Sequence, residues 1–370
     1  MKRLVLAGGG HSHLFVLEAF AQMPLSDVEI ILVNRTMHAP YSGMLPGLVA
    51  GLYTFDECHI HLETLAQRSK VQFRQTSVTS ADLAQRQLRL EDGTTLGYDL
   101  LSINTGSTPP LDNTPGAKEN TLAIKPIEDF LLGWEAMRES IANSKKPSRI
   151  ALVGGGAGSV ELALAMQHAL RAATNYEPTF EIVCDTPSIL MTHNNYVRRK
   201  FQRILAQRRI SVRANSRVVA LENQQLIFQQ GNNAPYDFII WVTGAEPAKW
   251  PGAAGLATDA RGFIQINESM QSMSHTDVFA AGDCATYAAH PRPKSGVYAV
   301  RQGPPLARNL RHALQGNSLE SYTPQIRALA LISSGDPYAV ASWGEIGFAG
   351  KWVWRWKDKI DRRFVERFSH

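Results

Sequence analysis

The sequence predicts an α/β protein of two three-layer units, each built on a parallel sheet and carrying a β-meander, followed by a C-terminal segment ending in an amphipathic helix. Three observations predict it: a strand, glycine turn, helix and strand in that order occur twice, both copies close on the same motif, and a turn-rich linker separates them. In the first copy, Arg3 to Ala7 reads as a strand, Gly8 to Gly10 as the turn, the next apolar run as a helix, and VEIILVN as the following strand ending at Asn34. In the second, Arg149 to Val153 is the strand, Gly154 to Gly156 the turn, Val160 to Leu170 the helix, and FEIVCD the next strand. Each is a βαβ unit of a doubly wound, Rossmann-like sheet.

Both copies continue into alternating segments that read as a meander, the first around the Asp92-Gly93 turn. Both then finish on Tyr-Asp, a buried-strand run and Thr-Gly, as YDLLSINTG at 98–106 and YDFIIWVTG at 236–244. Turn formers from Ser107 to Asn120 divide the copies, and the chain returns later with VFAAGDCA at 278–285. The expected domains are therefore 1–115 with 255–315 as one discontinuous unit, 116–254 as the second, and 316–370 as the C-terminal segment.

A chain of 370 residues, 44% of them hydrophobic, is long enough for two or three compact units. The net charge of +5 comes without a basic arm, zinc-ligand spacing or RNA-binding signature, so nucleic acid is not an expected partner. Cys58, Cys184 and Cys284 are too scattered for a disulfide framework and suit a reducing compartment. The opening MKRLVLAGGG lacks the length and cleavage site of a secretory leader, and no run approaches the roughly 20 apolar residues of a spanning helix. A cytoplasmic location is the expectation.

The glycine turns carry the chemistry. In such a turn the first glycine permits the tight bend, and the second lets a pyrophosphate approach the N–H groups at the helix N-terminus. Gly8 and Gly10 hold those places in the first copy, as do Gly154 and Gly156 in the second. The third place, usually glycine, holds His13 and Ser159. Two dinucleotides are the consequence. At the end of the second strand Asn34 offers an amide oxygen to ribose, and Arg35 a guanidinium to the adenine face. In the second copy Asp185 favours NADH, because a carboxylate repels a 2′-phosphate, while Arg198, Arg199 and Lys200 nearby leave NADPH open. His11, Ser12 and His13 begin the first helix, where two imidazoles do not converge on a metal; no metal site is expected, and His13 either packs or contacts phosphate.

Taken together, these residues resemble the pyridine nucleotide-disulfide oxidoreductase superfamily, in the branch of type II NADH dehydrogenases and sulfide:quinone oxidoreductases. The likeness spans nearly the whole chain through both glycine turns, both Thr-Gly ends, Val160-Glu161-Leu162-Ala163 and Gly282-Asp283-Cys284-Ala285. A narrower likeness, in GGGHSHLFVL, PYSGMLPGLVAG, GVYAVRQGP and WVWRWKDKIDRRF, is to the flavoprotein module fused ahead of selenide, water dikinase, whose kinase half has no counterpart in these residues. The resemblance implies FAD on the first unit and NAD(P)H on the second. It places Asp283, after Gly282, on the ribityl chain, Thr105-Gly106 along the FAD, Val78 at the adenine, and Thr243-Gly244 along the nicotinamide cofactor. It also implies that Tyr41, Ser42, Gly43 and Met44 approach the flavin ring. Gln302-Gly303, at a predicted helix start, would stabilise negative charge on the reduced ring. Glu161 is either near the nicotinamide or a plain surface carboxylate of its helix.

The implied activity is an FAD-dependent NAD(P)H dehydrogenase that hands electrons to a quinone or other small oxidant. Two alternatives stay open: a flavin-dependent oxidoreductase of sulfur or selenium species linked to selenophosphate supply, and a flavin-bearing regulatory module. APYSGMLPGL lacks the cysteine pair of the disulfide reductases, so no thiol relay is expected; Cys284 reads as a small buried residue and Cys58 as the remaining thiol candidate. In the tail, Trp352, Val353, Trp356, Ile360, Phe364 and Phe368 form one apolar stripe at helical spacing, and seven Lys/Arg stand against three acids over 351–368. Such a helix either lies in the interface of an anionic bilayer, near a quinone pool, or docks on its own protein or a partner in a homodimer.

Overall fold

The computed structural model describes residues 1–369 apart from 172 and 175. Its first sheet has five parallel strands in the order Val278–Ala280, Leu100–Ile103, Lys2–Ala7, Val28–Asn34, Gln72–Gln75. Parallel strands buried on both faces need unbroken apolar runs. Leu4, Val5, Leu6 and Ala7 accordingly have no exposed surface, and the helix His11–Gln22 crosses over them to reach the next strand. The second sheet repeats the plan with Leu122–Ala123, Phe238–Trp241, Arg149–Val153, Thr179–Val183 and Ser211–Arg213, covered by the helix Ala157–Leu170.

Each copy also carries its antiparallel meander: Val78–Asp82, Gln87–Leu90 and Thr95–Gly97 in one, Val218–Glu222, Gln225–Phe228 and Ala234–Pro235 in the other. The duplication extends to a register shift at the same place, between Val78 and Ser80 and between Val218 and Ala220. A bulge there increases the local twist, which lets a short meander fold back over the mouth of its sheet. Three antiparallel strands, Ala330–Ser333, Ala339–Trp343 and Ile346–Gly350, lead into the final helix Lys351–Ser369.

The core is shared across sequence-distant segments. Leu306 and Leu310 of the helix Gly296–Gln315, and Phe364, Val365 and Phe368 of the final helix, join the core of the first sheet. Leu45 and Val49, from the loop region after the second strand, join the core of the second sheet instead. The two units are therefore packed to each other through side chains and not merely joined by the linker.

The final helix corrects the expectation of a single apolar stripe. Val353, Phe364 and Phe368 are buried at 0%, 9% and 1% exposure, whereas Trp352, Trp356 and Ile360 stand out at 56%, 38% and 41%. At 3.6 residues per turn, positions 353, 357, 361, 364 and 368 make one continuous face, and 352, 356 and 360 make the neighbouring row. Two charged residues thus point inward. Lys357 donates to the Gly43 carbonyl at 2.6 Å and pairs with Asp361 at 2.5 Å. In the outer row Trp352 and Trp356 stack on Phe348, at 5.2 and 6.4 Å between centroids.

The docking of this helix predicts a large cost for emptying its anchor. Phe368 meets Phe15 edge-on at 5.1 Å and Phe364 at 5.2 Å. Phe368→Ala is expected to lower the unfolding free energy by about 3 to 5 kcal/mol, read from the urea midpoint at constant slope. An unmoved midpoint would mean the helix is not part of the cooperative core.

Candidate functional site

The first glycine turn is built by close backbone approach. Gly8 has φ +95°, and a Cβ there would sit 2.5 Å from the Asn104 carbonyl oxygen, so only glycine fits. Its N–H donates to Val33 O, which fixes the turn over the sheet. Asn104 is the organiser. Its Oδ1 accepts from the N–H groups of Ser12 at 3.1 Å and His13 at 3.4 Å, and its Nδ2 donates to Ala281 O at 2.7 Å.

Above this crest lies a cavity of about 400 Å³. Of the residues singled out from sequence, Gly8, Gly10, His11, Asn34, Arg35, Ser42, Val78, Thr105, Gly106 and Asp283 line it. On one side Asp283 pairs with Lys125 at 3.1 Å, close to His11, Ser42 and the start of the helix Gly296–Gln315. A second cavity of about 640 Å³ opens over the other crest, lined by Gly154, Gly156, Asp185, Thr243 and Gly244 together with Arg217 and Trp241. There Gly154 has φ +130°, with an added Cβ 2.8 Å from Val242 O. Both cavities lie beyond the carboxyl ends of parallel strands, where doubly wound sheets take their ligands.

Ser12 and His13 do not reach the cavity, and Asn34 and Arg35 have partners of their own within the chain. Ser12 is fully buried and its hydroxyl donates to Ala299 O at 2.7 Å. His13 is also fully buried, with Nδ1 at 2.6 Å from Gly8 O and Nε2 at 2.8 Å from Ser102 Oγ, so it packs and does not reach a phosphate. Asn34 uses its oxygen on the Gly9 N–H at 2.8 Å and its nitrogen on Thr36 O, bracing the turn. Arg35 pairs with both carboxylate oxygens of Asp129 at 3.1 and 3.3 Å, which holds its guanidinium at the rim.

The loop after the second strand also differs. Met44 is fully buried, the Gly43 carbonyl is taken by Lys357, and Tyr41 stacks on Phe364 at 4.4 Å; of the four, Ser42 alone lines the cavity. Gln302 and Gly303 are not at a helix start, because the helix begins at Gly296. Gln302 accepts the Gly282 N–H at 2.6 Å, which places Gly282 as backbone support, and Gly303 leaves room for the Phe15 ring. The helix N-terminus that does line the cavity carries Gly296 and Ala299.

Glu161 does not line the second cavity. Its carboxylate accepts from the Ser333 N–H at 2.7 Å and hydroxyl at 2.9 Å, and burial pushes its pKa up against the pull of Lys357. Its partner is the strand Ala330–Ser333, so it is not a free surface group. Cys58 is buried and its thiol is pushed up to about 12, by desolvation first and Glu57 second, so it holds its proton and is a poor nucleophile. Cys184 and Cys284 are buried as well.

Sequence reasoning missed Asn104 and Lys125. A polar residue closing the apolar strand LLSI was a readable signal for the first. For Lys125 there was none, since a lone lysine before a helix reads as solvated surface.

Two duplicated crests, each opening on its own cavity, define a protein of the two-dinucleotide class. The pyridine nucleotide-disulphide oxidoreductase family model matches residues 2–303, and the chain belongs to that family. FAD and NAD(P)H are the cofactors of this family. The chain is 26% identical to the NADH dehydrogenase-like protein YutJ of Bacillus subtilis, over 90% of each chain. It is 28% identical to the demethylphylloquinone reductase NdbB of Synechocystis sp., over 76% of this chain and 72% of that one. In structure it is similar to the sulfide:quinone oxidoreductase of Aquifex aeolicus, with TM-score 0.81 and 20% identity over 100% of this chain and 92% of that one. It is likewise similar to NDH2 of Plasmodium falciparum in complex with NADH, with TM-score 0.80 and 13% identity over 100% and 99%. The first cavity fits FAD on its own terms: its floor is a glycine crest where an added Cβ would collide with Asn104 or Leu62, so the backbone itself faces the cavity, and Asp283 presents a carboxylate beside it.

His13 makes the crest sensitive to acid. Burial lowers its pKa from 6.5 to about 4. Between those values the unfolded chain binds a proton that the folded chain does not, so stability is full above that window and falls as the pH drops through it. Lowering the pH from about 7.5 to about 5 is expected to cost about 2 kcal/mol through this group, seen in urea unfolding and diminished in His13→Asn. An equal loss in the variant would assign the effect to other groups.

Proposed function

We propose that this protein is an FAD-dependent NAD(P)H dehydrogenase, with FAD over the first crest and the nicotinamide cofactor over the second, and that it reduces a quinone or another small oxidant. The observation that carries the reading is the pair of cavities over duplicated glycine turns. When bound, FAD supplies the hydride acceptance and electron release.

The chain's own residues supply binding and alignment. Gly8 and Gly10 admit a pyrophosphate to the start of the helix His11–Gln22, where Asn104 takes the Ser12 and His13 N–H groups and the crest ahead of them faces the cavity. In this reading Asp283 accepts from a ribityl hydroxyl, Val78 meets the adenine and Thr105-Gly106 runs beside the cofactor, which their positions in the lining of the first cavity support. In the second cavity Asp185 disfavours a 2′-phosphate and so supports NADH, with Arg217 lining the same space. Buried thiols support direct transfer from flavin to acceptor over a cysteine relay.

A quinone acceptor is in keeping with the name of the Synechocystis relative. The outer row Trp352, Trp356 and Ile360, with Trp343 and Ile346 exposed nearby, supports attachment at a bilayer surface. Lys351, Arg355, Lys359 and Arg363 are exposed along the same helix and suit anionic headgroups. Among the described residues no helix is long and apolar enough to cross a membrane.

Anaerobic NADH added to FAD-loaded protein is expected to bleach the flavin band near about 450 nm, faster than NADPH does. Bleaching by dithionite but by neither nicotinamide would overturn the donor assignment. For the surface, sedimentation with phosphatidylcholine vesicles doped with phosphatidylglycerol should pull the protein down. Replacing Trp352, Trp356 and Ile360 with serine should reduce that partitioning about tenfold or more. If the triple variant instead leaves partitioning intact and splits a dimer, the row is a protein interface.

A further inference from the structure

Lys125 lies between the strand Leu122–Ala123 and the helix Ile127–Ala142, both packed with the second unit, yet its side chain lines the first cavity. Its Nζ stands 3.1 Å from Asp283 Oδ2, with the two side chains 34% and 17% exposed. Asp283 is its one hydrogen-bond partner among the described residues. An ammonium carries three donors, so two remain for whatever fills the cavity.

The other charged groups facing this space are committed elsewhere. Arg35 is held by Asp129, and Glu128 accepts from Thr36 Oγ1 at 3.0 Å and lies 3.9 Å from Arg35. Burial chiefly lowers the pKa of His11, with the Lys125 charge acting in the same direction and the Pro40 carbonyl and Asp283 against it. Asp283 alone would set a negative charge beside the flavin and oppose its reduction. Lys125 cancels that charge and offers further positive donors.

We infer that Lys125 is a flavin-tuning residue: reaching across from the second unit, it sets an ammonium over the FAD cavity and favours the electron-rich, reduced cofactor over the oxidised one. The inference rests on the FAD reading of this cavity. The step it biases is hydride transfer from NAD(P)H, which leaves NAD(P)+ and delivers two electrons and one proton to the flavin as a hydride, with one net negative charge; Lys125 itself gains and loses no electron. In a half-buried cavity an ammonium is screened less than in water, so its charge acts on the reduced ring with useful strength.

The test compares FAD-loaded wild type, Lys125→Met and Lys125→Arg, each equilibrated with a redox dye under limiting dithionite, which needs no nicotinamide. In Lys125→Met the equilibrium constant for flavin reduction should fall about tenfold, equivalent to about 30 mV for a two-electron couple, and Lys125→Arg should recover most of it. An unchanged constant in Lys125→Met, or an equal fall in both variants, overturns the inference. Should Lys125→Met hold FAD weakly, its affinities for oxidised and reduced FAD give the same ratio by linkage. Equal weakening of both forms then marks a purely structural tether and also overturns it. A wild-type chain that takes up no FAD defeats the cavity's reading itself, and shows in the absorbance spectrum before any variant is compared.

Discussion

Everything at the first site depends on one buried amide. Asn104 is 2% exposed, and its two ends tie the start of the first helix to the returning segment at Ala281. The same side chain fills the space that Cβ atoms on Gly10 and Gly282 would need. Leaving such a group unpaired in the interior costs about 1 to 3 kcal/mol, so the three segments are held in one arrangement. The second copy shows why the amide is there. Val242 holds the corresponding position, two residues before Gly244 as Asn104 is before Gly106. Among the described residues no later strand joins that sheet, whose edge beside Phe238–Trp241 is Leu122–Ala123, and an apolar side chain is sufficient.

A second constraint runs through the final helix. Turning Lys357 and Asp361 inward removes two charges from water, which is costly unless geometry and hydrogen bonds compensate. Here the pair is close, Lys357 also donates to Gly43, and Asp361 faces the Tyr41 hydroxyl. Burial nonetheless raises the pKa of Asp361 against the pull of Lys357, and Glu161 is raised in the same way close by. These groups gather where the loop bearing Gly43, the second unit's helix and the final helix meet. The arrangement fixes the relative position of the two units with polar contacts that a plain apolar seam would leave free to slide.

The sequence made the backbone legible and the side-chain destinations only partly so. Periodicity and glycine spacing identify both crests, because the turn imposes its demand locally: a positive φ and close backbone approach. Asp283 was implied by the family resemblance, since its local pattern alone also suits a solvated turn; it lines the first cavity. His13 and Gln302 were not legible, because each is decided by a partner far along the chain, Ser102 in one case and Gly282 in the other. Pro304 and Pro305 sit inside a long helix, although paired prolines imitate a helix start. The tail was half legible. Its amphipathic pattern was plain, but a stripe of six residues conceals two faces, and only the docked partner Phe15 tells which residues turn inward.

The two copies have diverged in how their cavities are enclosed, and that difference bears on which ligand stays. The second cavity is walled by residues between Pro110 and Gly244, one continuous stretch of chain. The first draws on the opening unit, on Lys125 to Glu128, on Ala248 and Trp250, and on Asp283, Gly296 and Ala299. A ligand held by segments so far apart can leave only when long-range packing loosens, whereas one held within a single stretch needs only local opening. A resident flavin suits the first arrangement and an exchanging nicotinamide the second. Under the proposed assignment, the returning strand Val278–Ala280, the helix Gly296–Gln315 and the docked final helix are what set the flavin's cavity apart from the nicotinamide's.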